Sequence, residues 1–110
     1  MLLVTGGGVY SSSTYVRSTE VLVLPGGRWR EAGHLPSGRF GLRGASLHGV
    51  LHVTGGVVED TLTRSGEILS WDAVSEEWGE AGRMVEAREW HAVTEIPLST
   101  VTSLCSVPWV

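Results

Sequence analysis

Apolar residues along this chain come in short runs that end in glycine or a polar turn, and no apolar stripe at helical spacing runs through it. The middle of the chain is the most readable part. Residues 42–47 predict one short strand, His48-Gly49 a two-residue turn, and 50–54 a strand returning antiparallel. Gly55-Gly56 closes that strand where the backbone must turn sharply or pass close to a neighbour. A polar loop over 57–65, a third strand over 66–71, a turn over 72–76 and a short fourth strand over 77–80 complete a four-stranded antiparallel unit. The first part of the chain predicts strands over 2–5, 19–24 and 28–31, and a further strand is expected over 88–95.

These elements recur. Shifted by 49 residues, the sequence matches itself at twelve positions, with Leu2, Val4, Thr5, Gly6, Gly7 and Val9 falling on Leu51, Val53, Thr54, Gly55, Gly56 and Val58. Thr14 falls on Thr63, Trp29 on Trp78, Glu31-Ala32-Gly33 on Glu80-Ala81-Gly82, and Arg39 on Arg88. Chance similarity in a glycine-rich chain would not hold a strand-Gly-Gly segment and a tryptophan segment in one register. Glu20 lies thirteen residues after Gly7 but Glu67 only eleven after Gly56, so matching these two glutamates places compensating length differences in the loops.

The ordered set resembles the kelch repeat: an Arg and a His on a first strand, an apolar second strand ending in Gly-Gly, an aromatic-Asp pair on the third and a Trp on the fourth. The second copy has Arg39, Gly55-Gly56, Trp71-Asp72 and Trp78, and Arg88-x-x-His91 opens the next unit. The first copy has Gly6, Gly7 and Trp29, but Leu24-Pro25 in place of the aromatic-Asp pair, and Leu42 stands where a His would follow Arg39. A period of about fifty residues agrees with kelch and is too long for the tryptophan-aspartate repeat. The resemblance implies an all-β fold of kelch-type four-stranded antiparallel blades, forming an incomplete β-propeller.

The implied division is residues 1–36 as strands two to four of one blade, 37–86 as a second blade, 87–96 as the first strand of a third, and 97–110 as a tail out of register. There Leu104-Cys105 stands where Gly-Gly would recur. Propellers close rings of typically 4 to 8 blades, so two blades are expected to need further blades, or self-association, to cover their apolar faces.

Composition narrows the function classes. The net charge of −4 comes from twelve acidic residues against eight basic ones, all arginine, with no basic run; a nucleic-acid partner is not expected. The apolar runs fall well short of the ~20 residues that span a bilayer, so no membrane partner is expected. The start runs from Met1 straight into Thr5-Gly6-Gly7, without a basic leader. Cys105 is the single cysteine, which excludes an internal disulfide and leaves the cytoplasm as the default location.

His34, His48, His52 and His91 lack the spacing of metal ligands, so neither a metal nor another cofactor is expected, and no catalytic constellation emerges. The resemblance gives His91 a packing role. Gly6, Gly7, Gly55, Gly56, Trp29, Trp71, Asp72, Trp78, Arg39 and Arg88 read as framework. In kelch proteins the loops joining strands two and three, and those joining blades, line a partner-binding face. The candidates there are Tyr10, Tyr15 and Arg17 in one loop, Arg64 in its counterpart, and His34 and Arg83 between blades.

The implied function is a protein-interaction scaffold and not an enzyme, in the family setting a substrate-recruiting module of a ubiquitin ligase adaptor. Two alternatives stand beside it. One is a fragment of a kelch-containing copper oxidase of the galactose oxidase type, for which two tyrosines in one loop and a distant Cys105 offer no copper site. The other is a truncated product without independent function.

Overall fold

The computed structural model describes residues 1–9, 11 and 13–96; Tyr10 and the tail over 97–110 lie outside the described residues. It is all-β, with twelve strands in four antiparallel sheets among the described residues. The first sheet has the order β1 (Leu2–Thr5), β4 (Ser18–Leu22), β5 (Arg30–His34). The second, four-stranded, runs β12 (Glu77–Arg83), β11 (Glu67–Asp72), β8 (Val50–Thr54), β7 (Arg43–Leu47). Two small ladders sit in the connections: β2 (Gly8–Val9) with β3 (Thr14–Tyr15), and β6 (Arg39–Phe40) with β9 (Val57–Val58) and β10 (Thr63–Arg64). These sheets do not form a closed propeller.

The internal repeat extends to the backbone pairing of the strands that both copies form. Leu3↔Val21 pairs as His52↔Ser70 does, Gly8↔Tyr15 as Val57↔Arg64, and Ser18↔His34 as Glu67↔Arg83, each 49 residues on. Turn bonds repeat as well: Gly7 N–H to Arg39 O at 2.8 Å and Gly56 N–H to Arg88 O at 3.0 Å, Leu35 N–H to Arg17 O and Met84 N–H to Gly66 O both at 2.7 Å. Ser18 is therefore the counterpart of Glu67, and Glu20 that of Leu69. The compensating loop lengths expected from pairing Glu20 with Glu67 are corrected: no gap separates the copies, and the shared glutamate is a coincidence two positions out of register.

Four other expectations change. The strand expected over 28–31 lies at Arg30–His34. Residues 88–95 are not a strand but an irregular segment, because no described strand lies alongside to form a ladder with them. It is held by single bonds, Trp90 N–H to Gly41 O at 2.9 Å and Arg43 Nε to His91 O at 2.7 Å. The loop over 57–65 contains the β9–β10 hairpin, with Val57 buried. The fourth strand extends to Arg83 because a β-bulge between Ile68 and Leu69 carries the pairing past Glu80. The His48-Gly49 turn has positive φ at both residues, 50° and 78°, as a tight antiparallel connection requires.

The two large sheets stack. Val21 and Ala32 of the first pack against Trp71 of the second, with Leu3 and Trp78 alongside. A second cluster, Leu35, Val53 and Leu69, continues the core, with Leu42 and Trp78 against it. Trp71 donates its indole N–H to Ala32 O at 3.0 Å, satisfying the one polar group this buried ring carries.

Candidate functional site

Antiparallel pairing brings the ends of β1, β5, β8 and β12 and the starts of β4, β7 and β11 to one end of the two sheets. The β2–β3 and β9–β10 hairpins and both segments leading out of the fourth strands collect there. A groove of about 940 Å³ lies among them, lined by Val9, Tyr15, Phe40, Leu42 and Trp90.

Its floor is aromatic. The rings of Tyr15 and Phe40 meet edge to face with centroids 4.7 Å apart, and Phe40 lies 5.9 Å from Trp90 at an interplanar angle of 55°. The Arg43 guanidinium stands 5.5 Å from the centre of the Trp90 ring, a cation–π contact, while its Nε is anchored on His91 O. Trp90 is 62 % exposed and has a φ of +52°, so the backbone turns to present the indole outward. Gly41 permits the approach: a Cβ there would press within 3.3 Å of Glu89 and Trp90.

Charged residues rim the groove. Arg64 pairs with Glu89 at 3.2 Å, beside Trp90 in the chain, and Glu59 accepts the Tyr15 backbone N–H at 3.1 Å. That last bond joins the two hairpins across the repeat.

The sequence candidates divide between this groove and its surroundings. Tyr15 lies in the groove and Arg64 at its rim. Arg17 is turned onto the framework, its Nε donating to Leu35 O at 3.1 Å. His34 pairs with Glu31 at 2.7 Å and Arg83 with Glu80 at 3.2 Å, each exposed at the same end but apart from the aromatic floor. Tyr10 lies outside the described residues.

Phe40, Trp90 and Arg43 were not among the candidates. Trp90 falls in the segment expected to be a strand, and no repeated motif or candidate loop marks Phe40, the single phenylalanine, or Arg43. Only the fold brings them together with Tyr15.

No known protein-family profile matches the chain, and no curated protein sequence matches it.

The remaining candidates serve the framework. Arg39, 1 % exposed, binds Glu67 at 3.1 Å and Ser37 at 3.2 Å. Asp72 accepts the N–H groups of Val74 and Ser75 at 2.8 and 3.3 Å and closes the turn into β12. Gly55 has a φ of +66°, and a Cβ on it would collide with Arg88 O and the His91 ring. Arg88 is exposed, its Nε on Glu86 O at 3.3 Å. His91 bonds Thr54 Oγ1 through Nε2 at 2.6 Å, and its Nδ1 is buried with no hydrogen-bond partner. Burial, with Arg43 and Arg88 nearby, holds the His91 pKa below the usual imidazole range. Among the described residues no group of three or more His, Cys, Asp or Glu could hold a metal ion, and no helix is long and apolar enough to cross a membrane.

Proposed function

We propose that this chain is a kelch-type repeat scaffold that binds a protein partner in the groove floored by Tyr15, Phe40 and Trp90. The observation that carries the reading is a contiguous run of three aromatic rings at the loop end of two stacked sheets, rimmed by Arg43 and the Arg64–Glu89 pair. Rigid rings with few rotamers bind at low entropic cost, and Tyr, Trp and Arg dominate the energetics of protein interfaces. Loops held on a sheet scaffold are where recognition residues collect. The ordered Gly-Gly, Trp-Asp and Trp of the second copy, and the 49-residue recurrence of its Gly-Gly and Trp, support the kelch reading, and with it blades of a propeller. Within that family the narrower form of the proposal is substrate recruitment to a ubiquitin ligase.

Selection of binding peptides from a displayed random library tests the groove. Peptides selected on the native chain are expected to lose at least about tenfold in affinity for Trp90→Ala and Tyr15→Ala, as truncation of a hot-spot ring does. They are expected to keep their affinity for Trp29→Ala, which lies outside the groove. Selected peptides that bind all three variants equally would place recognition elsewhere.

A further inference from the structure

The two large sheets meet through unlike faces. Along β1 and β4, Leu3, Thr5, Thr19 and Val21 face the second sheet, and Leu2, Val4, Glu20 and Leu22 face away. The second sheet answers with Leu51, Val53, Leu69 and Trp71, which lie 49 residues after those four outward-facing positions. Each sheet therefore keeps one face without a packed sheet, although His91 already covers Thr54 at one end of the second, and the two faces correspond, position for position, to the two halves of the junction already formed inside the chain.

We propose that the chain binds a second copy of itself head to tail, the outer face of the first sheet covering the outer face of the other copy's second sheet. Three independent features support this. Leu2, Val4 and Trp29 are 50, 52 and 47 % exposed, and Trp29 is the counterpart of Trp78, which fills the internal junction.

The second feature is a matched exchange of side chains. Inside the chain Leu42 packs against the cluster that holds Leu69. Forty-nine residues after Leu42 stands His91, and the counterpart of Leu69 is Glu20. The junction between copies thus brings His91 of one chain to Glu20 of the other. An apolar pair is replaced by a polar one, the Glu20 carboxylate facing a half-buried imidazole.

The third feature is a free edge. β8 is flanked by β7, but β1 ends its sheet with no strand on its outer side among the described residues. Residues 92–96 are the counterpart of β7 and form no strand. In the docked pair, the pairing of Arg43 with Thr54 and Gly44 with Val53 translates into Ala92 beside Thr5 and Val93 beside Val4 of the other copy. Such a contact is heterologous, so it extends beyond a dimer unless a ring closes. It leaves the three rings of the aromatic groove free and touches the groove only at Thr5, on its lining.

Sedimentation velocity over a range of concentrations tests the proposal. The native chain is expected to grow beyond a dimer as concentration rises; a monomer throughout overturns the proposal. Val4→Lys on one free face and Ser70→Lys on the other are each expected to be monomeric and folded by circular dichroism. Mixed, they are expected to form a one-to-one dimer and nothing larger, since each retains the face the other has lost. A mixture that stays monomeric overturns the head-to-tail geometry. His91→Leu alone is expected to weaken association by about tenfold to a hundredfold, because it strands Glu20. Adding Glu20→Leu recreates the internal leucine pair and is expected to restore association. Equal weakening in single and double variants would sink the His91–Glu20 contact. Peptide binding in the groove is a separate readout, so either proposal can fail without the other.

Discussion

Trp78 reaches across the junction of the two large sheets and donates its indole N–H to the hydroxyl of Thr19 at 2.7 Å. Its counterpart Trp29 sits on the outer face of the first sheet, 47 % exposed. Identical residues at equivalent positions thus differ in what they cover, and mutation should expose the difference. Trp78→Ala is expected to cost about 3 to 5 kcal/mol and Trp29→Ala less than about 1 kcal/mol, measured by urea unfolding at a dilution where the chain is monomeric. Thr19→Val, which removes the acceptor but keeps the volume, should cost about 1 to 3 kcal/mol for the stranded N–H. Equal losses from the two tryptophans would mean that the sheets do not stack through Trp78.

The contrast shows what could be read in advance. The longer strands, the His48-Gly49 turn and the glycine pairs were legible, the segment over 88–95 excepted, because each rests on local chemistry: alternation, a demand for positive φ, a close backbone approach. Register between the copies was misread where it leaned on Glu20 and Glu67, since a glutamate on a sheet surface constrains no backbone. The glycine and tryptophan anchors alone would have kept the offset constant. The two-pair hairpins are too short to show alternation, and the groove joins Tyr15, Phe40 and Trp90 from three separate segments. No local pattern announces such a surface.

Arg39 is a buried cation whose only carboxylate partner among the described residues is Glu67. Removing one member of such a pair strands the other, whereas replacing both with apolar groups can be nearly neutral. Arg39→Ala is expected to cost about 3 kcal/mol, with the double variant Arg39→Met, Glu67→Leu recovering part of that loss. The counterpart Arg88 is exposed, and Arg88→Ala should stay within about 0.5 kcal/mol. Denaturant midpoints of the four proteins decide it; an Arg39→Ala protein as stable as the native chain would remove the ion pair from the framework.

Gly33 and Gly7 separate backbone strain from crowding. Both have positive φ, 103° and 94°, but a Cβ on Gly33 would run into Glu76 O of the neighbouring sheet, whereas one on Gly7 meets nothing within 4 Å. Gly7→Ala should therefore show conformational strain alone, about 1 to 2 kcal/mol, and Gly33→Ala at least about 1 kcal/mol more. Thermal unfolding of the two variants gives the order, and Gly7→Ala proving the more damaging would mean that β5 and the turn ending at Glu76 do not touch.

His91 links stability to pH. Its pKa is lowered in the folded chain, chiefly by burial and further by Arg43 and Arg88, while the unfolded chain titrates near the ordinary imidazole value of about 6.5. Below that pH the unfolded state binds the proton more readily than the folded state does. Stability is thus fully present above about pH 6.5 and is lost as pH falls towards the lower folded pKa, below which the loss stops growing. Burial sets the sign and the positive charges of Arg43 and Arg88 add to it, against a smaller opposing effect of hydrogen bonds to Glu89 and Thr54. His91→Gln removes the titration, so between pH 7.5 and 5.5 the native chain is expected to lose more stability than the variant in urea unfolding of dilute monomer. Parallel losses would show that His91 takes up its proton in the folded chain as readily as in the unfolded one.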